Sequence, residues 1–367
     1  MTRGLTITPV LGVPEVRAGD EVARLLLSAL GEGGLVVGDV IVVSSKIVSK
    51  ALGLTAADVS DKESLVLDES TRIVAERSVG DRVTRVVEAL AGPVMAAAGI
   101  DASNTGPSGA LLLLPHDPDA CARDLRSAFL ALLGMPSATP LAVILSDTAG
   151  RPWRGGLTDF ALGSAGLKVL LDHRGETDAD GRVMSVTARA VADELAAAAD
   201  LVKGKADGVA AAVVRGVPES WFAGPVEDAV GDARRLVRTG PGDWFALGHV
   251  EAVRAALGVA PGSELSEQVG IRPVGAEPFA ARVARVVAVT LAADEDASAD
   301  VEITAGGAGD GTEDSAEVTL GAADDFALGR LAQRLEVAAA GEDLTIDLTG
   351  RPTAEHTVTA RLSPPRR

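Results

Sequence analysis

One stretch constrains this chain more than any other. LAVIL, residues 141–145, is an apolar run of strand length, and Ser146-Asp147-Thr148 follows it directly. Gly150-Arg151-Pro152-Trp153-Arg154-Gly155-Gly156 comes next and reads as a stiff turn holding two guanidinium groups and an indole. Such a run predicts one buried strand that stops at Ser146. In open α/β sheets, ligands sit just beyond the carboxyl ends of strands. A carboxylate and a hydroxyl at that point suit a hard cation such as Mg²⁺ or Mn²⁺, and arginines beside them suit phosphate or carboxylate oxygens. A capped strand end, with Asp147 bonded to turn amides, is the alternative for SDT alone; it accounts poorly for SDTAGRPWR as a whole.

Composition narrows the setting of that strand. The chain has 367 residues, enough for two domains, and is 47% hydrophobic but only 2% aromatic, with no tyrosine. Its core must therefore be packed from Ala, Val, Leu and Ile. A net charge of −18 argues against nucleic acid or an anionic membrane as a general partner, so an anionic ligand needs local basic groups. No apolar run reaches membrane-spanning length, MTRGLTITPV lacks a signal-peptide core, and the single Cys121 fits a reducing compartment. A cytoplasmic location is expected. Arginine is the habitual cation, since only six of the 34 basic residues are lysines. Four of those six fall in two short segments, Lys46/Lys50 and Lys203/Lys205. There a compact ammonium serves some need, for instance against phosphate.

In chain order, residues 5–10 read as a strand, and Asp20 as the cap of a helix to Leu30 with Val22, Leu25, Leu26 and Leu30 on one face. A buried strand at 39–43 runs into Ser44-Ser45-Lys46-Ile47-Val48-Ser49-Lys50, read as a polar loop and a plausible phosphate cradle. Residues 61–78 read as a helix of mixed charge; 82–91 fits a helix or a strand equally. Asp101-Ala102-Ser103-Asn104 places a second acid after an apolar segment, able to meet Asp147 across a site or simply to close an Asx-turn. A strand at 111–114 leads to a helix at 120–133 capped by Asp117 or Asp119. Strands follow at 168–172 and 183–187, then an amphipathic helix at 188–202, a strand at 209–214 and a basic helix carrying Arg234, Arg235 and Arg238. Beyond it, the acidic stretch 294–325 is flanked by an apparent strand at 283–291, a helix at 325–340 and a strand at 344–348. The expected division is a core at 1–217, a linker at 218–249 and a small α+β accessory module at 250–367. No Walker A loop is present, because Gly204-Lys205 is followed by Ala206 and no glycine stands at the upstream spacing.

Taken together, VLGVPEVRAGD, VVSSKIVSK, AGIDASN with LLPHDPDA, SDTAGRPWRGG and TARAVADELAAAADLVKGK resemble the coenzyme F420-0:L-glutamate ligase family over residues 5–248. The resemblance implies a mixed-sheet α/β core and a homodimer. It also implies a GTP-dependent joining of L-glutamate, through a gamma-linked amide, to F420-0, with Mg²⁺ or Mn²⁺ required. Whether a monovalent cation also assists stays open. By the same resemblance, Val13, Pro14, Glu15, Val16, Ser45, Lys50 and Asn104 contact the nucleotide, while Asp101, Asp147 and Thr148 hold the metal. Arg151 and Arg154 are the candidate clamps for an oxyanion. Two departures stand out. Leu52 and Leu54 replace a Glu and an Arg usual in that family, which leaves open a ligase relative with a different acid substrate. The stretch after RRLVRTGPGDWFALG is too short for the flavin-binding domain of some relatives, so no FMN is expected and the accessory module's role is open, a partner-binding scaffold included.

Overall fold

The computed structural model describes residues 4–56, 62–102, 110–185, 187–205, 207–224, 231–240, 243–292, 296–305, 314–348 and 351–365. Its contacts divide the chain into two units, Met1–Thr71 with Val87–Asp243, and Arg72–Val86 with Trp244–Arg367. Unlike the sequence division at 217 and 250, this split gives the second unit a short segment from the first third of the chain.

Along the chain come β1 (Thr6–Pro9), α1 (Val22–Leu30), β2 (Val40–Ser44), α2 (Ser45–Ala51), β3 (Thr55–Ala56), α3 (Lys62–Asp68), β4 (Ser70–Val79), β5 (Arg82–Ala89), β6 (Val94–Ala96) and β7 (Leu111–Leu112). Then follow α4 (Pro118–Leu132), β8 (Ala142–Arg151), β9 (Arg154–Ala165), β10 (Leu171–Asp172), β11 (Ala188–Arg189), α5 (Val191–Lys203) and β12 (Ala211–Arg215). The first unit is built on a five-stranded sheet of order β1-β12-β2-β8-β9. β2 and β8 run parallel and the other pairings are antiparallel, so the sheet is mixed.

Strand alternation sorts the sheet's side chains onto two faces. Ile41, Val43, Val143 and Leu145 join Leu26 of α1 and Phe129 of α4 in one core. Val40, Val42, Ala142 and Ile144 join Leu195, Ala196 and Ala199 of α5 in the other. Both faces are covered, which is why LAVIL needs no polar member. Each large side chain so buried contributes about 1.5–3 kcal/mol. The short Ala-rich stripe of α5 lets that helix lie close to the sheet, the packing available to a core nearly free of aromatics.

Several expectations are corrected here. The central strand does not stop at Ser146: β8 continues to Arg151 and pairs with β9, with a register shift between Leu145 and Ser146. Residues 44–50 are not a loop, because α2 begins directly after β2. The described part of the expected helix at 61–78, from Lys62 on, divides into α3 and β4, and 82–89 is a strand. The mixed charge of β4 misled because Glu76 is a buried strand residue, paired with Arg85 on β5 at 2.9 Å. Among the described residues of the expected strand at 183–187 there is only a single bridge, from Val183 to Thr177. Arg234 and Arg235 lie in a short 3-10 turn, Ala233–Leu236, instead of an α-helix. The Ala233 and Arg234 amides donate to the buried Asp119 carboxylate, and Asp117 caps α4. Asp20 does not cap α1; its carboxylate accepts from the Arg17 amide instead.

The second unit contains α6 (His249–Ala256), α7 (Glu264–Val269), α8 (Phe279–Leu291), β13 (Ser298–Thr304), β14 (Ser315–Gly321), α9 (Asp325–Gly341), β15 (Thr345–Asp347) and β16 (Thr357–Ser363). The four strands form an antiparallel sheet of order β13-β14-β16-β15. Residues 283–291 are helical, not a strand: Val283, Val286 and Val289 recur every third residue and bury together against Leu331 and Leu335. Helical spacing overrides the β-branched composition there.

Candidate active site

β2 and β8 are parallel neighbours, and the point where their pairing ends, at Ser44 and Ser146, brings one set of polar residues together. α2 starts at Ser45 and presents Lys46 and Lys50 four residues apart, hence on one helix face. Lys46 Nζ lies 2.7 Å from Asp101 Oδ2. Lys50 is paired with Glu15. Asp101 is held by a two-way backbone bridge to Leu112 of β7, after the left-handed residues Ala97, Ala98 and Gly99. A Cβ at Gly99, held at φ +72°, would stand 2.4 Å from Leu114 Cδ1, so a larger residue there would strain the turn.

Ser45, Lys46, Ser49, Gly99, Asp101, Leu112, Leu113, Leu114 and Asp147 line one cavity of about 10 Å³, the space for one water or one ion. Two groups in it are under-satisfied. Ser49 Oγ is buried without a hydrogen-bond partner among the described residues. Burial pushes the Asp147 carboxyl up to about 6; the Asp159 and Asp101 charges add to the rise, and the Thr148 amide and the Lys46 charge oppose it. A carboxyl left so poorly compensated gains from a cation. Among the described residues no three His, Cys, Asp or Glu side chains gather as a metal site. Two carboxylates with hydroxyls nearby nevertheless fit Mg²⁺ or Mn²⁺, which characteristically take one or two carboxylates and complete their shell with water and substrate phosphate.

The expected site residues separate clearly. Ser45, Asp101 and Asp147 meet at the cavity, and Lys50 and Glu15 meet each other. Val13 is half-buried against the α1 core, Pro14 is exposed and Val16 is buried. Asn104 lies outside the described residues. Thr148 stands next to Asp147 on β8 but its hydroxyl is on the α5 face, bonded to Asp159 Oδ1 at 2.6 Å. Arg151 and Arg154 are register partners at the end of the β8–β9 hairpin, and neither makes an ion pair with a described residue. They sit four residues beyond Asp147 on that strand or across from it, about 13 Å along the ribbon. Between them, Trp153 is 82% exposed and held at φ +58°.

Sequence reasoning missed Asp159, the carboxylate that Lys203 and Lys205 meet in the structure. Asp159 on β9 is buried and bonded to both lysines. The lysine clustering was the available signal, but it pointed to an anion without naming one.

A family model described as F420-0:Gamma-glutamyl ligase matches residues 11–216, more than half of the chain. The chain belongs to that family. It is therefore one of a family of ligases that form carbon–nitrogen bonds. Among its relatives is a coenzyme F420:L-glutamate ligase of Methanothermobacter thermautotrophicus, 44% identical over 232 residues, which span 59% of this chain and 90% of that one. Proteins of the same description from Haloarcula marismortui and Methanopyrus kandleri are 39% and 36% identical, over 63% and 66% of this chain and 97% of each relative. Among the described residues of this ligase, no helix is long and apolar enough to cross a membrane.

Proposed function

We propose that this ligase joins L-glutamate to coenzyme F420-0 through a gamma-linked amide, using GTP. The reading rests on family membership together with one observation: Asp101, Asp147, Lys46 and a Ser49 hydroxyl without a hydrogen-bond partner among the described residues converge where the parallel pairing of β2 with β8 ends. The F420-0 carboxylate attacks the γ-phosphorus, GDP leaves, and the glutamate amine displaces phosphate from the resulting acyl phosphate. In phosphoryl transfer the protein contributes positioning and charge more than bond-making. Asp101 and Asp147 hold the divalent ion, Mg²⁺ or Mn²⁺, which when bound neutralises charge on the phosphate oxygens. Lys46 and Lys50 supply ammonium charge at the same place, and Glu15 keeps Lys50 oriented until nucleotide arrives. The hairpin arginines, Arg151 and Arg154, are free to clamp an oxyanion. The enzyme is proposed to work as a cytoplasmic homodimer.

Incubation with GTP, Mn²⁺, glutamate and F420-0, followed by mass spectrometry, tests the reading. A product heavier by one glutamyl residue, formed with one GDP, is expected. A specific observation favours one alternative: Leu52, 54% exposed, follows α2 directly behind Lys50. An apolar residue there suits a different acid as acceptor. GDP release with glutamate and some other carboxylate, but none with F420-0, would favour that reading.

A further inference from the structure

Behind Asp147, on the α5 face of the sheet, a single carboxylate takes four donors. Asp159 Oδ2 accepts from the Ser146 hydroxyl at 3.0 Å and from Lys203 Nζ at 2.6 Å. Asp159 Oδ1 accepts from the Thr148 hydroxyl at 2.6 Å and from Lys205 Nζ at 3.0 Å. The ring closes on itself, because Lys203 Nζ also donates to Ser146 Oγ at 2.7 Å and Lys205 Nζ to Thr148 Oγ1 at 2.8 Å. Asp159, Lys203 and Ser146 are all at least 96% buried. Ser146 and Thr148 are the two residues flanking Asp147, and the β8–β9 pairing shifts register just before Ser146, where Leu145 faces Gly163 and Ser146 faces Ala161, so the extra residue, Leu162, is on β9. β8 itself keeps its alternation: Val143 and Leu145 join one core, and Ala142 and Ile144 the core on the α5 face. Pinning positions 146 and 148 to one face leaves position 147 only the other, where Asp101 and Lys46 stand.

We propose that Asp159, held by Lys203 and Lys205, is a positioning residue that fixes residues 146–148 of β8 through Ser146 and Thr148 and so aims Asp147 into the cavity. This rests on the reading of Asp147 as a metal-binding acid. Outer partners that orient a metal ligand are worth about 10–100-fold in metal affinity. A merely structural ion pair would change stability and leave metal affinity alone.

Ser146→Ala and Thr148→Val each cut the strand from the peg while keeping the buried ion pair. The paired change Asp159→Asn with Lys203→Met removes the peg without stranding a buried charge, a replacement that proteins often tolerate. For each variant, free Mn²⁺ is titrated by electron paramagnetic resonance without nucleotide, beside a thermal unfolding curve. Ser146→Ala and the paired variant are expected to fold and to bind Mn²⁺ about 10–100-fold more weakly than the parent. Thr148→Ser, which keeps the hydroxyl, should recover what Thr148→Val loses. Parental Mn²⁺ affinity in folded Ser146→Ala and in the folded paired variant overturns the proposal; if the paired variant does not fold, Ser146→Ala decides. Should the parent itself bind no Mn²⁺, the functional reading falls, and crystal structures of the variants judge the positioning claim. There, an Asp147 side chain turned out of the cavity supports it, and one still facing Lys46 and Asp101 refutes it.

Discussion

The two faces of β8 carry two polar clusters built from similar parts and left in opposite states. On the α5 face, Asp159 is buried among four donors and each polar side-chain atom of the ring has a partner. Burial alone would raise its carboxyl, yet the Lys203 charge and the hydrogen bonds from Lys203, Thr148 and Lys205 hold it below the ordinary range. On the other face, Asp147 is raised to about 6 and Ser49 Oγ has no partner among the described residues. The contrast shows how a saturated cluster serves as scaffold and an under-satisfied one is kept for a ligand. Buried polar groups are normally paired, so a local deficit marks a place where something else completes the set.

The sharpest way to break this contrast is to neutralise each acid in turn. Asp147→Asn is expected to cut metal-dependent turnover by more than about 100-fold, beyond the loss from disturbing a ligand's outer partners, with the fold retained by circular dichroism. Asp159→Asn alone should weaken Mn²⁺ binding about 10–100-fold and lower stability as well. It leaves the Lys203 ammonium buried without its counter-charge, a change costing about 3–5 kcal/mol, measurable by urea denaturation. If Asp147→Asn destabilised the protein as much, the two clusters would not differ in kind.

Acidity sharpens the comparison at a smaller scale. Because the Asp147 carboxyl titrates near 6 in the folded protein, Mn²⁺ affinity should fall about tenfold per pH unit below that value and level off above it. Stability moves the opposite way. A carboxyl whose folded value is raised contributes stability fully present below the unfolded value and lost as pH rises through about 6. The metal-free Asp147→Asn protein should therefore melt a few degrees above the parent at pH 8, an advantage that shrinks as the solution is acidified. Asp159, with its value depressed, contributes stability that persists at neutral pH and is lost only as pH falls through its folded value. The smallest effect belongs to Glu15→Gln. That exposed partner of Lys50 should cost less than about 1 kcal/mol of stability, so any larger change in GTP affinity would report on the nucleotide.

Much of this was legible in residue order, and the remainder failed for identifiable reasons. LAVIL announced a strand buried on both faces, and the acids at 101 and 147 were visible as polar residues following apolar segments. The two lysine pairs stood out against an arginine habit. What residue order does not carry is which anion a lysine meets. Asp159 lies 44 residues before Lys203, inside GLTDFALG, where nothing separates a buried carboxylate from an ordinary turn acid. Likewise the resemblance sets Thr148 beside Asp147, and residue order does not show that strand alternation turns the Thr148 hydroxyl toward Asp159 on the α5 face. The β-branched run at 283–291 hid a helix whose spacing, not its composition, decided its form.

A crystal of the protein soaked with Mn²⁺ and GDP, examined by anomalous scattering, tests the central claim most directly. The expected result is a manganese peak bonded to the carboxylates of Asp101 and Asp147, with the GDP phosphates completing its shell. A well-occupied peak elsewhere, with both carboxylates left without metal, would contradict the account.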